Sequence, residues 1–377
     1  MKKGHRALVG ACAALATLAF AGTALATYAP KLVVSSTGGA GLGGPTRIGV
    51  VVGTSDDPTA RTTIYVPTGY TVATPSPGTD LGKVTATASA ADLGGAVLPL
   101  TGELDAIAPN PTTQAQAQAC GVTPTQTWDL HLSAAGQTLD IPLFVVAPLA
   151  PETALGFVDK LVVCLPPPDV PVNTPGRAVF GAKLLSATFT SSAITQPTNP
   201  GDYRWTSLFT PYVPTKGQPN AAGSVEVQSL RHLPAKVTLG VTRRRVVTHR
   251  TVKVRGKKVK KAVVSTAVSF RTAVTENGQP AGSATVTVTA RGKKVGTTKG
   301  SFTMTGVKSA TLTATAAIDA GSSVPTGTPT SPADLFFHDL GPSGCVPTPL
   351  FQGLPCTDAT QGGETARVSV VVRAYTK

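Results

Sequence analysis

The strongest chemical signal in the sequence is a cluster of basic side chains. Ten lysines and arginines lie between positions 243 and 261, and no aspartate or glutamate lies between Glu226 and Glu276. The cluster, called the basic strip below, consists of Arg243, Arg244, Arg245, Arg250, Lys253, Arg255, Lys257, Lys258, Lys260 and Lys261. Valines are interleaved with these residues, which predicts two strands that turn at 255–257, with many of the charges on one exposed face and the valines facing a core.

Two interpretations of the basic strip follow from its charge. Charged residues on strand edges deter edge-to-edge aggregation, so the strip has a purely structural explanation. It also fits a docking surface for polyanions such as wall teichoic polymers, acidic polysaccharides or anionic lipid headgroups. Nucleic acid is the least favoured ligand, because bases stack on aromatic rings and the strip contains no Phe, Tyr or Trp.

Motifs for catalysis are missing from the sequence. It has no Gly-x-Ser-x-Gly elbow, no Ser-x-x-Lys pair and no glycine-rich phosphate loop. A pair of acids such as Glu103 and Asp105 could still be assembled by the fold for glycoside hydrolysis, because such pairs are defined by geometry. We nevertheless predict that the protein is not an enzyme.

The histidines do not predict a metal site. His131, His232, His249 and His338 are far apart in the chain, and none lies in a His-x-x-x-His motif. A calcium site would need acids to converge from separate predicted loops, namely Asp56, Asp57, Asp80, Asp202, Asp334 and Asp339. We expect no metal ion and no cofactor.

The N-terminus indicates export. Basic residues precede an apolar run at 7–21, and Ala24-Leu25-Ala26 has the small-x-small pattern of a cleavage site, which predicts a signal peptide over residues 1–26. A lipoprotein box ending at Cys12 is the alternative. Loss of three basic residues with the signal peptide lowers the formal charge from +14 to +11. No later segment is apolar enough to span a bilayer, so we expect a secreted protein, either extracellular or associated with the cell surface.

Four cysteines remain after cleavage: Cys120, Cys164, Cys345 and Cys356. An even number in an exported chain predicts two disulfides, and four cysteines allow three pairings. Proximity in the sequence favours Cys120 with Cys164 and Cys345 with Cys356. Each bridge would then close a loop within one domain.

Composition predicts an all-β fold. Valine and threonine favour strands, and the 39 glycines and 32 prolines favour the turns between them. We expect an N-terminal β-sandwich domain at 27–234, of one unit or two, because short strands there alternate with turn residues. At 234 the chain changes from Pro-rich to strongly basic, which places a second domain at 235–377.

Turn motifs in the second domain carry a resemblance to a known family. The chain reads Glu-Asn-Gly-Gln-Pro-Ala-Gly-Ser at 276–283, Gly-Lys-Lys-Val at 292–295 and Gly-Ser-Phe at 300–302. It resembles a bacterial immunoglobulin-like domain over about 236–318 plus the last strand, interrupted by a disulfide-bearing insertion at about 319–364. The resemblance implies an immunoglobulin-like β-sandwich with a spacer, adhesive or envelope-surface role. As a whole the chain is similar to secreted proteins of high-GC Gram-positive bacteria.

We therefore expect a structural or adhesive protein of the cell envelope that docks on anionic polymers or polysaccharide. The alternative is a carbohydrate-binding module or a secreted glycan-active enzyme. In that case aromatic rings of the first domain would stack on sugars, with Trp128, Tyr203, Trp205 and Tyr212 as the candidates. Exposure of these rings distinguishes the two hypotheses.

Overall fold

A computed structural model describes residues 28–36, 43–134, 136–276, 278–280, 284–307, 311–317, 337–362 and 367–373. The predicted signal peptide lies outside the described residues. Within them the strands are β1 (Lys31–Ser36), β2 (Pro45–Val51), β3 (Thr59–Pro67), β4 (Thr71–Val72), β5 (Asp80–Ala90), β6 (Ala96–Ile107), β7 (Gln126–Ala134), β8 (Gln137–Val146), β9 (Phe157–Cys164), β10 (Ala182–Thr195), β11 (Gly201–Pro211), β12 (Val225–Leu233), β13 (Ala235–Val254), β14 (Lys257–Glu276), β15 (Gln279–Pro280), β16 (Thr285–Ala290), β17 (Lys293–Lys299), β18 (Phe302–Val307), β19 (Thr311–Ala317), β20 (Phe337–Asp339), β21 (Cys356–Gly362) and β22 (Arg367–Arg373). Two α-helices are described, α1 (Pro111–Ala119) and α2 (Ala150–Ala154).

Most of these strands belong to one large sheet. Its order is β1-β2-β10-β5-β6-β7-β8-β9-β3-β11-β12-β21-β20, with β4 paired to β10. The twelve strands from β1 to β21 curl into a nearly closed, barrel-like sheet. Its interior is filled by apolar side chains that include Trp128, Leu143, Trp205 and Phe209, each at most 1 % exposed.

The two ends of the curled sheet meet along a seam between β1 and the strands β12 and β21. Hydroxyl groups bridge the seam: the Val34 amide donates to Ser229 Oγ at 2.9 Å, and Thr360 Oγ1 donates to the Leu32 carbonyl. β21, which follows the strands of the small sheets up to β19 in the sequence, pairs with β12 in parallel and so completes the large sheet that β1 begins.

The remaining described strands form two small antiparallel sheets. One contains β13, β14, β15 and β18, and the other has the order β17-β16-β19-β22. They share a cluster of buried apolar residues that includes Phe270, Val286, Leu312 and Val372.

The all-β class is confirmed, but the prediction of β-sandwiches was wrong. Successive strands from β5 to β9 each pair with the next and extend one sheet sideways, whereas a sandwich divides its strands between two sheets. Because strands twist, a sheet with this many strands curls until its far side covers its own apolar face. Residues 337–362, which lie within the expected insertion at about 319–364, supply β20 and β21 of the large sheet.

Candidate anion-docking site

The basic strip lies on the hairpin of β13 and β14, each 20 residues long. The two strands pair in continuous register from Ala235 opposite Glu276 to Val254 opposite Lys257. Arg255 and Gly256 form the turn with φ angles of 47° and 79°. Two residues with positive φ are what a tight two-residue hairpin turn needs, because this twist matches that of the strands.

Among the residues that the structure describes, only those at the base of this hairpin pack in a core. Phe270 and Val274 are buried in the small-sheet core, and β18 pairs with β14 only between Thr266 and Phe270. Farther out, Val247, Val254 and Val259 are 43 %, 51 % and 45 % exposed. The prediction that the valines face a core is therefore wrong for the outer half, which projects as a two-stranded ribbon.

The register distributes the charges over both faces of the ribbon. Side chains alternate along each strand, and directly opposite residues share a face. One face therefore carries Arg243, Arg245, Lys253, Lys258 and Lys260, and the other carries Arg244, Arg250, Lys257 and Lys261. All of these side chains are exposed, as is Arg255 at the turn. The charges are thus divided almost equally between two faces, which differs from the expected arrangement of many charges on one face with a core behind the other.

Like charges meet across the ribbon. Arg250 lies directly opposite Lys261, and Lys253 lies directly opposite Lys258. Such pairs destabilise a hairpin, and the ribbon carries no acid to offset them. At its base, Arg243 donates to the Arg373 carbonyl at 2.8 Å. A polyanion bound to either face would screen the repulsion between these directly opposed positive charges.

A second charged cluster lies on the outer face of the large sheet, where β6, β7 and β8 are adjacent. Register places Glu103, His131 and Asp140 side by side, and His131 Nδ1 lies 2.6 Å from Asp140 Oδ1. Asp129 is on the same face, and burial, aided by Asp140, raises its pKa to about 6. The hydrogen bond with Asp140 also raises the pKa of His131.

Asp129, His131 and Asp140 could hold a metal ion, because one ligand atom from each lies within 4.8 Å of the others. The sequence missed this grouping, since only sheet pairing brings His131 and Asp140 together. Glu103 contacts Lys83, and Asp105 is directly opposite Asp129 on the same outward face.

The aromatic residues do not form a sugar-stacking surface. Trp128 and Trp205 are 0 % exposed and Tyr212 is 6 % exposed. Tyr70 contacts Trp205 edge to face, with ring centroids 4.8 Å apart, inside the large sheet. Trp128 and Trp205 belong to the core, Tyr212 is buried, and Tyr203 is partly buried against the core, so these four residues do not form the exposed row of rings that the carbohydrate-binding alternative requires.

Both disulfides are present, Cys120–Cys164 and Cys345–Cys356, with the pairing that the sequence favoured. Disulfides are typical of oxidising compartments, so they are consistent with an extracellular protein. The described segments include no helix with the length and apolar character of a membrane span.

No family model, curated protein or solved structure matches the chain. The likeness to immunoglobulin-like domains therefore places the chain in no family.

Proposed function

We propose that the protein is a non-catalytic, exported protein of the cell envelope that docks on anionic envelope polymers through the basic strip. The observation that carries the proposal is the arrangement of like charges on both faces of an exposed ribbon that has no acid. A ribbon that served only to protect a strand edge would not need directly opposed charges such as Arg250 and Lys261.

Length favours a polymer over a small anion. The exposed ribbon runs from Val246 to the turn at Arg255, which is roughly 30 Å at the rise of a β-strand. Charges spread over this distance and over both faces can contact successive anionic groups of one chain. Because the charges are exposed, the attraction should weaken as salt screens it.

The test measures binding of a purified wall teichoic polymer to the exported protein at low and high salt. One variant removes three charges of the basic strip: R250Q, K258Q and K261Q. A matched control removes three exposed charges at the turn between β16 and β17: R291Q, K293Q and K294Q. Both variants change the net charge equally.

We expect the Kd of the basic-strip variant to rise about tenfold, since three exposed ion pairs contribute about 0.5 kcal/mol each. The control should change much less, and high salt should weaken binding of the wild type. Equal weakening in both variants, salt-independent binding or no binding of the polymer would each overturn the proposal.

A further inference from the structure

The seam of the large sheet holds a buried group of one amine and two carboxylates. Lys31 opens β1, Asp339 ends β20 and Asp358 lies in β21. Lys31 Nζ donates to Asp339 Oδ2 at 2.7 Å and also contacts Asp358 Oδ2. The first strand of the sheet thus meets its last two strands through reactive side chains.

This group is largely removed from water. Lys31 is 8 % exposed and Asp358 is 5 % exposed, and the neighbouring strand residues Val33 and Phe337 pack together in an apolar cluster. Asp358 Oδ1 is buried and has no hydrogen-bond partner among the described residues. Burial raises the pKa of Asp358, which favours the protonated carboxyl group.

We propose that Lys31 and Asp358 join in an intramolecular isopeptide bond, with Asp339 as the proton carrier. As a neutral amine, Lys31 Nζ attacks Cγ of the protonated Asp358 carboxyl group, and a C–N bond forms. Asp339 takes the proton from Nζ and delivers it to the departing hydroxyl. The C–O bond then breaks, one water molecule leaves and an amide remains, with no oxidant or cofactor required.

The surroundings account for both the feasibility and the rate of this step. Holding the reactants in contact removes the entropy cost of bringing them together, and a dry site favours neutral over charged partners. Burial opposes the charge on Lys31, but hydrogen bonds to both carboxylates outweigh this effect and raise its pKa. Only the minority of molecules in which the proton has moved to a carboxylate can react, so the bond forms slowly and once per chain.

A second buried ion pair provides an internal control. Lys160 Nζ lies 2.8 Å from Glu152 Oε2, with side chains 12 % and 7 % exposed. The pair resembles Lys31 and Asp358 in burial, but the Glu152 carboxylate also accepts from the Leu149 amide, and the described contacts of Lys160 include no second carboxylate to carry a proton. We expect no cross-link there.

Intact-mass spectrometry of the exported protein, after reduction of its disulfides, decides the question. The wild type should be lighter than the K31R variant by one water, after correction for the substitution. A protease digest should contain one branched peptide that joins residues 31 and 358. The K160R variant should keep the water loss, and D339N should abolish or greatly slow it.

A wild-type mass without water loss, together with separate peptides for residues 31 and 358, would overturn the proposal. A cross-link that forms in D339N at the wild-type rate would overturn the assignment of Asp339 as the proton carrier. The wild-type measurement decides even if K31R does not fold. The result is independent of polymer docking, because the basic strip takes no part in this bond.

Discussion

The two tryptophans of the large sheet differ in one respect that stability measurements can detect. Both are 0 % exposed, and Trp128 Nε1 donates to Gln126 Oε1 at 3.2 Å. Trp205 Nε1 is buried without a partner among the described residues. Replacement by phenylalanine keeps an aromatic ring at each site and removes the N–H, so W128F and W205F form a matched pair.

The cost of each change follows from two contributions. Either substitution removes about 40 Å³ of side chain, and a cavity of that size costs about 1 kcal/mol. In W128F the lost hydrogen bond adds about 1 kcal/mol, for a total of about 2 kcal/mol. In W205F the relief of a buried, unpaired N–H is about 1 kcal/mol or more, which offsets the cavity and leaves a net change near zero.

Equilibrium unfolding in urea, followed by circular dichroism with the disulfides intact, measures both values. We expect W128F to lower the free energy of unfolding by about 2 kcal/mol more than W205F, with unchanged m-values. If W205F destabilises the protein as much as W128F, the Trp205 N–H is satisfied in solution and the reasoning fails.

Three further changes test other parts of the fold. E152Q should lower stability by about 3 kcal/mol in thermal unfolding, because it leaves buried Lys160 without its anionic partner; a loss below 1 kcal/mol would contradict the role of this pair. Burial, with a smaller contribution from Asp140, raises the pKa of Asp129 to about 6, so the folded state binds the proton more tightly and wild-type stability should fall as the pH rises from about 4 to 6. D129N removes this titration, and its stability relative to the wild type should increase over that interval by about 1–2 kcal/mol, which is less than the full shift implies because Asp129 is only half-buried and solvent screens its charge; parallel pH profiles would refute the assignment. G102A should destabilise by about 2 kcal/mol, because a Cβ there would lie 1.8 Å from a carbonyl oxygen of β7. G44A is its control, since a Cβ at Gly44 meets nothing within 4 Å. Equal unfolding midpoints for G102A and G44A would contradict this prediction, because β7 would then have moved away from the added Cβ.

For the basic strip, the sequence predicted the residues and the turn but not their arrangement. Alternation along β13 and β14 depends on local backbone geometry, so pairing around Arg255 could be inferred from the valine and lysine pattern. Whether a valine such as Val247 faces a core depends on how far the neighbouring strand β18 extends, and β18 stops pairing near Thr266. No local pattern contains that information.

For a related reason, the sequence did not reveal the two clusters of charged residues on the large sheet. His131 and Asp140 meet through pairing of β7 with β8, and Lys31 meets Asp358 across the seam between the two ends of the sheet. The sequence separation of 327 residues between Lys31 and Asp358 gave no sign of contact. Side chains that look isolated in the sequence become neighbours when long-range pairing sets their register.

By itself the sequence determined the all-β class and favoured the pairing in both disulfides, because strand propensity, turn residues and the proximity of cysteines act over short distances. Tertiary structure decided how the strands assemble. Alternating apolar residues require only that one face of a strand be buried, and they do not specify whether a second sheet or the far side of the same sheet covers it. The curled sheet results from the side-by-side pairing of β5 to β9 and from the pairing of β21 with β12. That choice also buried both tryptophans and brought Lys31 to Asp358.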